Sequence, residues 1–566
     1  MKKLLFLIII FLISCSQAFC ATYCVRPDVA VDAVNGVTYN GDGTTWAAAA
    51  GDGQVGAYKD LPDTLVRGDT YYLADGTYSG SGGYNAYLFN HEESGELYIY
   101  VKKATSLSHG TETGWSSGYG DGYAQFVGFI LRDGYYNIDG NNSGNYGAGT
   151  YGIHIVTVAA EYRGIYLDNQ TGDPDNHHVI LKNIYIDHRA TEQCGTIALH
   201  SEFRNVTIDD IHVYRTRCDG IHISSSSNIV QYSYIERKGE EVIGCDDHAD
   251  ALVVGAVSDS DIRYNKLLWN GQIVWFTGGA SEASPNVNTN VRIYGNIISG
   301  DENTSGQGIC VPGDNTSQWV NLTVYNNTFI DLATICIEAS NSEVHSSTAD
   351  IRNNLFYNVA AANLNEAYNT ITHDYNAFQA GDLPAETNQQ ILSSDPFTNY
   401  SDDDDGTNDV LTLSSATSEG DNTIGSTYNT DMDGNTRGTD GTWDIGAYEY
   451  TASDTTPPVI SSLLPSGARQ CDAIYWPQTP LTLACNTDEN STCKYATSDV
   501  SYDTMGQTFS TTGTTVHSQS ITFQCGTSYI YYVRCMDESS NKNTTSTSTS
   551  FILDNDPPPR RSYYIH

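Results

Sequence analysis

Short apolar segments of one kind recur between residues 179 and 359, about every 22 to 35 residues. Seven of them are variants of a single pattern: Val179-Ile-Leu-Lys-Asn-Ile, Val206-Thr-Ile-Asp-Asp-Ile, Ile229-Val-Gln-Tyr-Ser-Tyr-Ile, Ile262-Arg-Tyr-Asn-Lys-Leu, Val291-Arg-Ile-Tyr-Gly-Asn-Ile, Leu322-Thr-Val-Tyr-Asn-Asn and Ile351-Arg-Asn-Asn-Leu. A second short apolar strand, such as Gly220-Ile-His-Ile-Ser, lies between them. A unit this short cannot bury its own apolar face, so it must stack on copies of itself. The repeats therefore predict an all-β solenoid.

The charge of the chain limits its partners. The 566 residues include 27 basic and 68 acidic side chains, which gives a net charge of −41. Such a surface repels nucleic acid and anionic lipid, so neither is expected as a partner. The charge suits a soluble protein outside the cell. It also leaves open that some of the carboxylates hold Ca²⁺, an ion that takes oxygen ligands.

The N-terminus has the pattern of an export signal over residues 1–20. Met1-Lys2-Lys3 precedes the apolar run Leu4–Ile13, which is too short to cross a membrane. We therefore expect export to the extracellular space or the cell surface, and the rest of the sequence predicts no membrane span. Two processing routes stay open. Ser16-Gln17-Ala18 suits ordinary signal peptidase, whereas Leu12-Ile13-Ser14-Cys15 resembles a bacterial lipobox, which would make the protein an outer-membrane lipoprotein anchored at Cys15.

The opening strands identify a fold family. Gly68-Asp-Thr-Tyr-Tyr-Leu-Ala-Asp-Gly-Thr-Tyr is a short strand closed by Gly/Asp turns, and Leu97-Tyr-Ile-Tyr-Val and Tyr136-Asn-Ile-Asp-Gly follow it. This resembles the first coils of right-handed parallel β-helix proteins of the pectate-lyase type. The resemblance implies a right-handed parallel β-helix over residues 22–450, and it is specific for the fold and weak for the activity.

An asparagine occupies one turn of the later repeats, at Asn265, Asn296, Asn327 and Asn354. Their side chains are expected to hydrogen-bond from coil to coil as a structural ladder. Residues 395–450 resemble a closing segment of bacterial surface β-helix proteins, in which Arg437 is expected to pair with Asp433 or Asp444.

The last part of the chain predicts a separate small domain. Residues 451–459 read as a Pro/Thr linker, 460–555 as short alternating strands of a β-sandwich, and 556–566 as an unstructured tail. Residues 531–537, Tyr-Tyr-Val-Arg-Cys-Met-Asp, resemble fibronectin type III and Ig-like modules. That resemblance implies that Cys493 and Cys535 lie on adjacent strands and can form a disulfide.

Residues with chemical capacity concentrate in the central coils. Seven of the 14 histidines lie between His177 and His248. Asp219 and Asp250 each precede an equivalent strand, one coil apart, so they are expected to stack about 4.8 Å apart, with Gln272 and Gln307 next in register. Asp219 and Asp250 also have a simpler interpretation, because β-helix turns use Asp, Asn and Gly for their geometry.

Two carboxylates at that spacing repel each other unless a proton or a cation lies between them. In a polysaccharide lyase, Ca²⁺ on such carboxylates neutralises a uronate while a basic residue takes the C5 proton. The candidate ligands are Asp219, Asp246, Asp247 and Asp250. The candidate catalytic residues are Asp219, Asp250, His248, Lys238 and Arg217. The candidate residues for substrate binding are His222, Trp269, Trp275 and Gln272, and Trp275 can face either a groove or the core.

Two other functions remain open. Asp219-Gly-Ile-His-Ile-Ser followed by Asp246-Asp247 resembles the polygalacturonase family, which implies a glycoside hydrolase, but Arg217-Cys218 and Asn270-Gly-Gln-Ile depart from its motifs. The absence of a complete catalytic motif also fits a non-catalytic surface adhesin or glycan-binding scaffold. A polysaccharide or cell-surface glycan is the expected partner in each case.

Overall fold

The chain is described from a computed structural model. The structure describes residues 20–27, 39–80, 85–141, 151–158, 163–170, 177–189, 196–216, 218–236, 250–268, 271–277, 286–300, 306–310, 317–336, 347–363, 370–379, 385–401, 409–417, 420–451, 454–471 and 477–554. The chain divides into two compact units, Met1–Tyr450 and Thr451–His566.

The first unit is built from three long parallel sheets, here called sheets 1, 2 and 3. Sheet 1 contains β1 (Thr22–Val25), β2 (Thr70–Leu73), β5 (Ile99–Lys103), β8 (Tyr136–Asp139), the first halves of β11 (Val179–Asp187) and β13 (Val206–Arg215), β15 (Ile229–Gln231), β18 (Asp261–Arg263), β22 (Arg292–Tyr294), β26 (Leu322–Tyr325), β29 (Thr348–Arg352) and β32 (Thr370–Asp374). Sheet 2 contains β3 (Gly76–Thr77), β6 (Ala124–Phe126), β9 (Ile153–Val156), the second halves of β11 and β13, β16 (Tyr234–Glu236), β19 (Lys266–Leu268), β23 (Ile297–Ser299), β27 (Thr328–Leu332), β30 (Leu355–Val359), β33 (Ala377–Gln379) and β34 (Gln390–Leu392).

Sheet 3 forms the remaining face of the solenoid. It contains β4 (Tyr87–Phe89), β7 (Phe129–Leu131), β10 (Arg163–Leu167), β12 (Ile197–Ser201), β14 (Asp219–Ile223), β17 (Asp250–Val254), β20 (Gln272–Phe276) and β24 (Gln307–Cys310). Each strand pairs in parallel with the equivalent strand one coil away. The chain therefore winds as a right-handed parallel β-helix, as the repeats predict.

Smaller pairings complete the unit. The short strands are β21 (Asn286–Thr289) with β25 (Ser317–Val320), β28 (Ile335–Cys336) with β31 (Ala362–Asn363), and β35 (Phe397–Asn399) with β36 (Val410–Leu413). Single 3-10 turns lie at Ser117–Tyr119 and Ser426–Tyr428 in this unit, and at Tyr502–Thr504 in the second unit.

The core is an inward-facing stack of aliphatic and aromatic side chains. Alternation within a strand sends one set of side chains inward and the next set to the outer face. In β14, for example, Ile221 and Ile223 are fully buried in the core, while His222 between them is partly exposed. Leu199, Leu252 and Val274 continue the inward row on neighbouring strands. The residues on the outer faces of the sheets are thus not constrained by packing in the core.

The asparagine ladder forms as predicted. Asn265 donates its backbone N–H at 2.9 Å and its amide N–H at 3.0 Å to the side-chain oxygen of Asn296. Asn296 makes the same two bonds with Asn327, at 3.0 and 2.9 Å, and the pattern continues to Asn354. It then extends one coil further than the prediction, to Asn376. These asparagines are buried, so the ladder supplies partners to turn groups that water does not reach.

The closing segment differs from the prediction in its central ion pair. Arg437 is buried, and its guanidinium lies 3.6 Å from the carboxylate of Glu449, not beside Asp433. It meets Asp444 only through the backbone carbonyl, at 3.0 Å, and donates to the carbonyl groups of Gly446 and Ala447 at 2.8 and 3.0 Å. The pairing prediction was wrong because a guanidinium has five donors. The backbone carbonyls of the turn accept from its two terminal nitrogens, which is more donors than one carboxylate would take.

The second unit is a small β module. Its sheet contains β37 (Ile460–Leu464), β38 (Gly467–Gln470), β39 (Gln478–Ala496), β40 (Gln507–Thr508), β41 (Thr514–Gln524), β42 (Ser528–Asp537) and β43 (Thr547–Asp554). Cys493 and Cys535 face each other across β39 and β42 and form a disulfide, as predicted, and Cys471 pairs with Cys525. In the described parts of both units, no helix has the length and hydropathy needed to cross a membrane.

We expect Asn296→Ala to lower the free energy of unfolding by about 3 kcal/mol, because it leaves the buried N–H groups of Asn265 without an acceptor. Urea unfolding followed by circular dichroism measures the change. Asn399→Ala, at an exposed position of β35, is the matched control and should shift the midpoint little. A shift for Asn296→Ala no larger than that of the control would contradict a stabilising role of the ladder.

Candidate functional site

The predicted register of the acidic residues is present in sheet 3. Ile221 pairs with Leu252, which places Asp219 level with Asp250 on the adjacent strand. Asp250 then pairs with Gln272, and Gln272 with Gln307. The row therefore runs over four consecutive strands, and its first two members are carboxylates.

Local structure fixes the position of Asp219. The preceding residue, Cys218, is buried and disulfide-bonded. The backbone N–H of Asp219 donates to the carbonyl of Thr196 at 3.0 Å, and its own carbonyl accepts from the hydroxyl of Thr216 at 3.0 Å. These contacts hold the turn at which β14 begins. These two bonds fix the backbone from which the Asp219 side chain extends.

The electrostatics of Asp219 are unusual for an aspartate. Its carboxylate accepts the backbone N–H of Asp250 at 3.4 Å, which is a long hydrogen bond. Burial raises its pKa to about 6, and only that backbone bond opposes the shift. Asp250 itself is 3% exposed. Both carboxylates therefore lie in a poorly solvated environment, where a second negative charge is costly.

A stack of rings lies beside the carboxylates on the outer face of sheet 3. Tyr166, His200 and His222 are aligned on β10, β12 and β14. Their ring centroids are 5.3 and 4.6 Å apart, and both pairs are stacked. Burial lowers the pKa of His200 to about 3 and that of His222 to about 4, and Arg163 contributes to both shifts. Both imidazoles are therefore neutral near pH 7.

The outer row that contains His222 continues to Trp275. His222 pairs with Val253, and Val253 with Trp275. Trp275 is partly exposed and lies between Val274 and Phe276, which both face the core, so it belongs to the outer face. This settles the orientation that the sequence left open.

A glycine also contributes to this surface. A Cβ at Gly255 would lie 3.6 Å from Nε2 of His222 and 2.8 Å from Oγ1 of Thr277. The missing side chain therefore keeps the edge of the His222 ring open.

A second polar cluster adjoins this surface on sheet 2, and the sequence did not predict it. Asp187 accepts hydrogen bonds from Nε of Arg189 at 2.6 Å and from Nε of Arg215 at 2.5 Å. Nε2 of His212 lies 2.9 Å from the carboxylate of Glu236, which is 5% exposed. The excess of His and Arg in the central coils was the sequence signal that could have indicated this cluster. It does not single out particular residues, because an individual His or Arg is usually a solvated surface group.

Several predicted residues lie outside the described part of the chain. They are Arg217, Lys238, Asp246, Asp247, His248 and Trp269. Of the predicted site, the structure brings together Asp219, Asp250, His222, Gln272 and Trp275 on sheet 3. Their roles stay predictions.

A further acidic group lies in the second unit. Carboxylate oxygens of Asp454, Glu489 and Asp537 lie within 4.8 Å of one another. Asn541 donates its backbone N–H and its amide to the two oxygens of Asp537, at 2.8 and 2.9 Å. Its amide also donates to the backbone carbonyl of Asp454 at 2.7 Å. These bonds give the group a structural role in joining the start of the module to the β42 turn.

Comparison with known proteins identifies similar folds only. No protein-family model matches the sequence, and no curated protein does. The crystal structure of pectate lyase Pel9A is 15% identical, with a TM-score of 0.39, over 76% of this chain and 96% of that chain. The Dettilon tailspike protein is 9% identical, with a TM-score of 0.30, over 85% and 72%. The enzymatically active domain of tailspike protein 2 of bacteriophage CBA120 is 10% identical, with a TM-score of 0.26, over 85% and 72%. Similarity at this level does not identify an activity, so the chemistry has to follow from this chain's own residues.

We expect Asp219→Asn to remove a pH-dependent loss of stability. The folded-state pKa of about 6 lies above the ordinary value of 3.8. Between those values the folded state binds more protons than the unfolded state, so its stability falls as the pH rises. A difference of about two between the folded and unfolded pKa values corresponds to about 3 kcal/mol at neutral pH.

Urea unfolding in chelator-containing buffer at several pH values measures the difference between the two proteins. The amide that Asp219→Asn introduces keeps an oxygen for the N–H of Asp250, so the variant should match the wild type near pH 4 and exceed it above pH 6. A difference that is the same at every pH would refute the titration of Asp219.

Proposed function

We propose that this protein is an exported polysaccharide-binding β-helix protein that acts on an acidic glycan as a Ca²⁺-assisted lyase. The observation that carries the proposal is that Asp219 lies level with Asp250 on the adjacent strand of sheet 3, where its carboxylate accepts the backbone N–H of Asp250. Burial raises the pKa of Asp219, and no cationic side chain among the described residues counters that shift. A carboxylate pair in this state is suited to accept a cation.

The available donors fit Ca²⁺. Asp219, Asp250 and the amide of Gln272 offer oxygen atoms in one row, and Ca²⁺ takes six to eight oxygen ligands. Asp246 and Asp247, which lie outside the described residues, are the further ligands that the sequence predicts. Ca²⁺ held there would neutralise the carboxylate of a uronate unit and make its C5 proton more acidic.

The chain's own residues then bind the sugar and move the proton. The rings of His222 and Trp275 provide surface against which a pyranose can pack. Tyr166, which stacks on His200 and lies under the guanidinium of Arg163, supports this row, and Glu202 accepts its hydroxyl at 2.8 Å. His222 has a pKa of about 4, so it is a weak proton acceptor and suits binding better than catalysis. We therefore propose that Lys238, Arg217 or His248 is the proton acceptor.

A glycoside hydrolase of the polygalacturonase type is the second candidate. One observation favours it, the Asp219 pKa of about 6, because a hydrolase needs a carboxylic acid that is still protonated near neutral pH. Asp250 would be the ionised partner. The two candidates differ in product, since a hydrolase yields a new reducing end without an unsaturated sugar.

Export is part of the proposal. The second unit contains the disulfides Cys471–Cys525 and Cys493–Cys535, which are typical of oxidising compartments outside the cytoplasm. The signal-like residues 1–20 and the alternative lipid anchor at Cys15 lie, apart from the last residue of that segment, outside the described residues.

We expect a rise in the absorbance of unsaturated uronates when the purified protein is incubated with pectate, alginate or a glycosaminoglycan in the presence of Ca²⁺. Chelator should abolish the rise. Asp250→Asn should reduce the rate at least about 100-fold, because even residues that only support a metal ligand contribute about 10- to 100-fold.

Glu538→Gln, at an exposed position of the second unit, is the control and should leave the rate unchanged. New reducing ends without an absorbance rise would replace the lyase with the hydrolase. If the protein binds a glycan in native gels but forms neither unsaturated uronates nor new reducing ends, both enzyme proposals would be replaced by a non-catalytic adhesin or scaffold.

A further inference from the structure

Sheet 2 carries a continuous row of rings on its outer face. His154, Tyr185, His212 and Tyr234 lie on the successive strands β9, β11, β13 and β16, and backbone pairing places them level with one another. Tyr123 stacks on His154 with the ring centroids 3.8 Å apart and the planes 7° apart. The following centroid distances along the row are 4.8, 5.1 and 4.8 Å. These five residues are called the aromatic strip below.

The aromatic strip is not part of the core. Its neighbours within each strand, such as Ile153, Ile184 and Ile211, are fully buried, so alternation puts the rings on the opposite face. Tyr123 is 45% exposed and the other four rings are partly exposed. A row of partly exposed rings on the outer face is more than the solenoid requires for its own stability.

Buried polar groups hold the strip in place. The two carboxylate oxygens of Glu236 take separate partners, since one lies 2.9 Å from Nε2 of His212 and the other accepts the hydroxyl of Tyr234 at 3.0 Å. Glu236 is 5% exposed. One buried carboxylate thus orients two adjacent rings, which lowers the entropy lost when a ligand stacks on them.

The charges beside the strip cancel. Burial opposes the ionisation of Asp187, but hydrogen bonds from Arg215 and Arg189 outweigh it and lower its pKa. The positive charges of Arg189 and Arg215 therefore balance the negative charges of Asp187 and Glu236. Burial also lowers the pKa of His154 to about 4, so this ring is uncharged at neutral pH. The patch offers partly exposed ring surface and hydrogen-bond donors without a net charge, on a chain whose net charge is −41.

We infer that the aromatic strip is a second carbohydrate-binding surface, which takes a neutral polysaccharide lying along the axis of the solenoid. Successive rings are one strand apart, about 4.8 Å, which is close to the length of one pyranose unit, so consecutive sugars can pack against the exposed parts of consecutive rings. The partly exposed guanidinium groups of Arg189 and Arg215 lie beside the row and can donate to sugar hydroxyls. This surface is distinct from the carboxylate pair on sheet 3 and does not depend on lyase activity.

Native affinity electrophoresis tests the inference with three neutral polysaccharides, a β-glucan, a xylan and a galactomannan, in chelator-containing buffer. At least one should retard the full-length protein. Tyr185→Ala should weaken that retardation about tenfold, because it removes the ring at the centre of the strip. Tyr185→Phe should keep it, because the ring is retained.

Two controls separate this surface from the rest of the molecule. Tyr100→Ala removes a partly exposed ring of sheet 1, and Trp275→Ala removes the outer ring of sheet 3; both should leave the retardation unchanged. Circular dichroism confirms that each variant is folded. The inference fails if none of the three glycans retards the protein, if Tyr185→Ala binds like the wild type, or if Trp275→Ala alone abolishes binding. Since the lyase assay uses acidic glycans with Ca²⁺, either proposal can fail without the other.

Discussion

Parallel pairing of each strand with its equivalent one coil away is the constraint on which the rest of this structure depends. It repeats every side chain's position at a spacing of about 4.8 Å. A residue therefore meets, on the next coil, whatever the sequence places about 22 to 35 residues later. Inside, this produces continuous apolar rows such as Leu199, Ile221, Leu252 and Val274. On the outer faces, it aligns polar and aromatic side chains from successive coils into rows.

The same stacking has opposite consequences for an amide and for a carboxylate. An asparagine carries both a donor and an acceptor, so each side chain from Asn265 to Asn354 satisfies the next and the ladder is closed within the protein. An ionised aspartate carries acceptors alone, so Asp219 and Asp250 in one row cannot satisfy each other. Burial raises the pKa of Asp219, and the backbone N–H of Asp250 offsets only part of that shift. Identical geometry thus stabilises the fold at the turn after sheet 1 and places two buried carboxylates side by side at the start of sheet 3.

The parts that were predictable from the sequence are those that repeat once per coil. The solenoid, the asparagine ladder and the row Asp219, Asp250, Gln272, Gln307 follow from spacing, because one register applies to a whole sheet. Contacts that break the repeat were not predictable. Arg437 meets Glu449 within an irregular turn, and a register shift between Ile186 and Asp187 brings Asp187 level with Arg215, which no periodic alignment places together. The His212–Glu236 contact joins different positions on adjacent strands, so it too was missed.

The outer rows can change without endangering the fold, because the core and the ladder carry most of the stability. Each coil contacts mainly its two neighbours, so the free energy of a solenoid is approximately a sum of local terms. A partly exposed ring such as Tyr185 or Trp275 contributes area to binding and little to that sum. Asp219 even reduces it near neutral pH, since burial of its charge opposes folding. Asp219 is thus the position in the outer row of sheet 3 at which burial of a charge works against the stability that the core and the ladder supply.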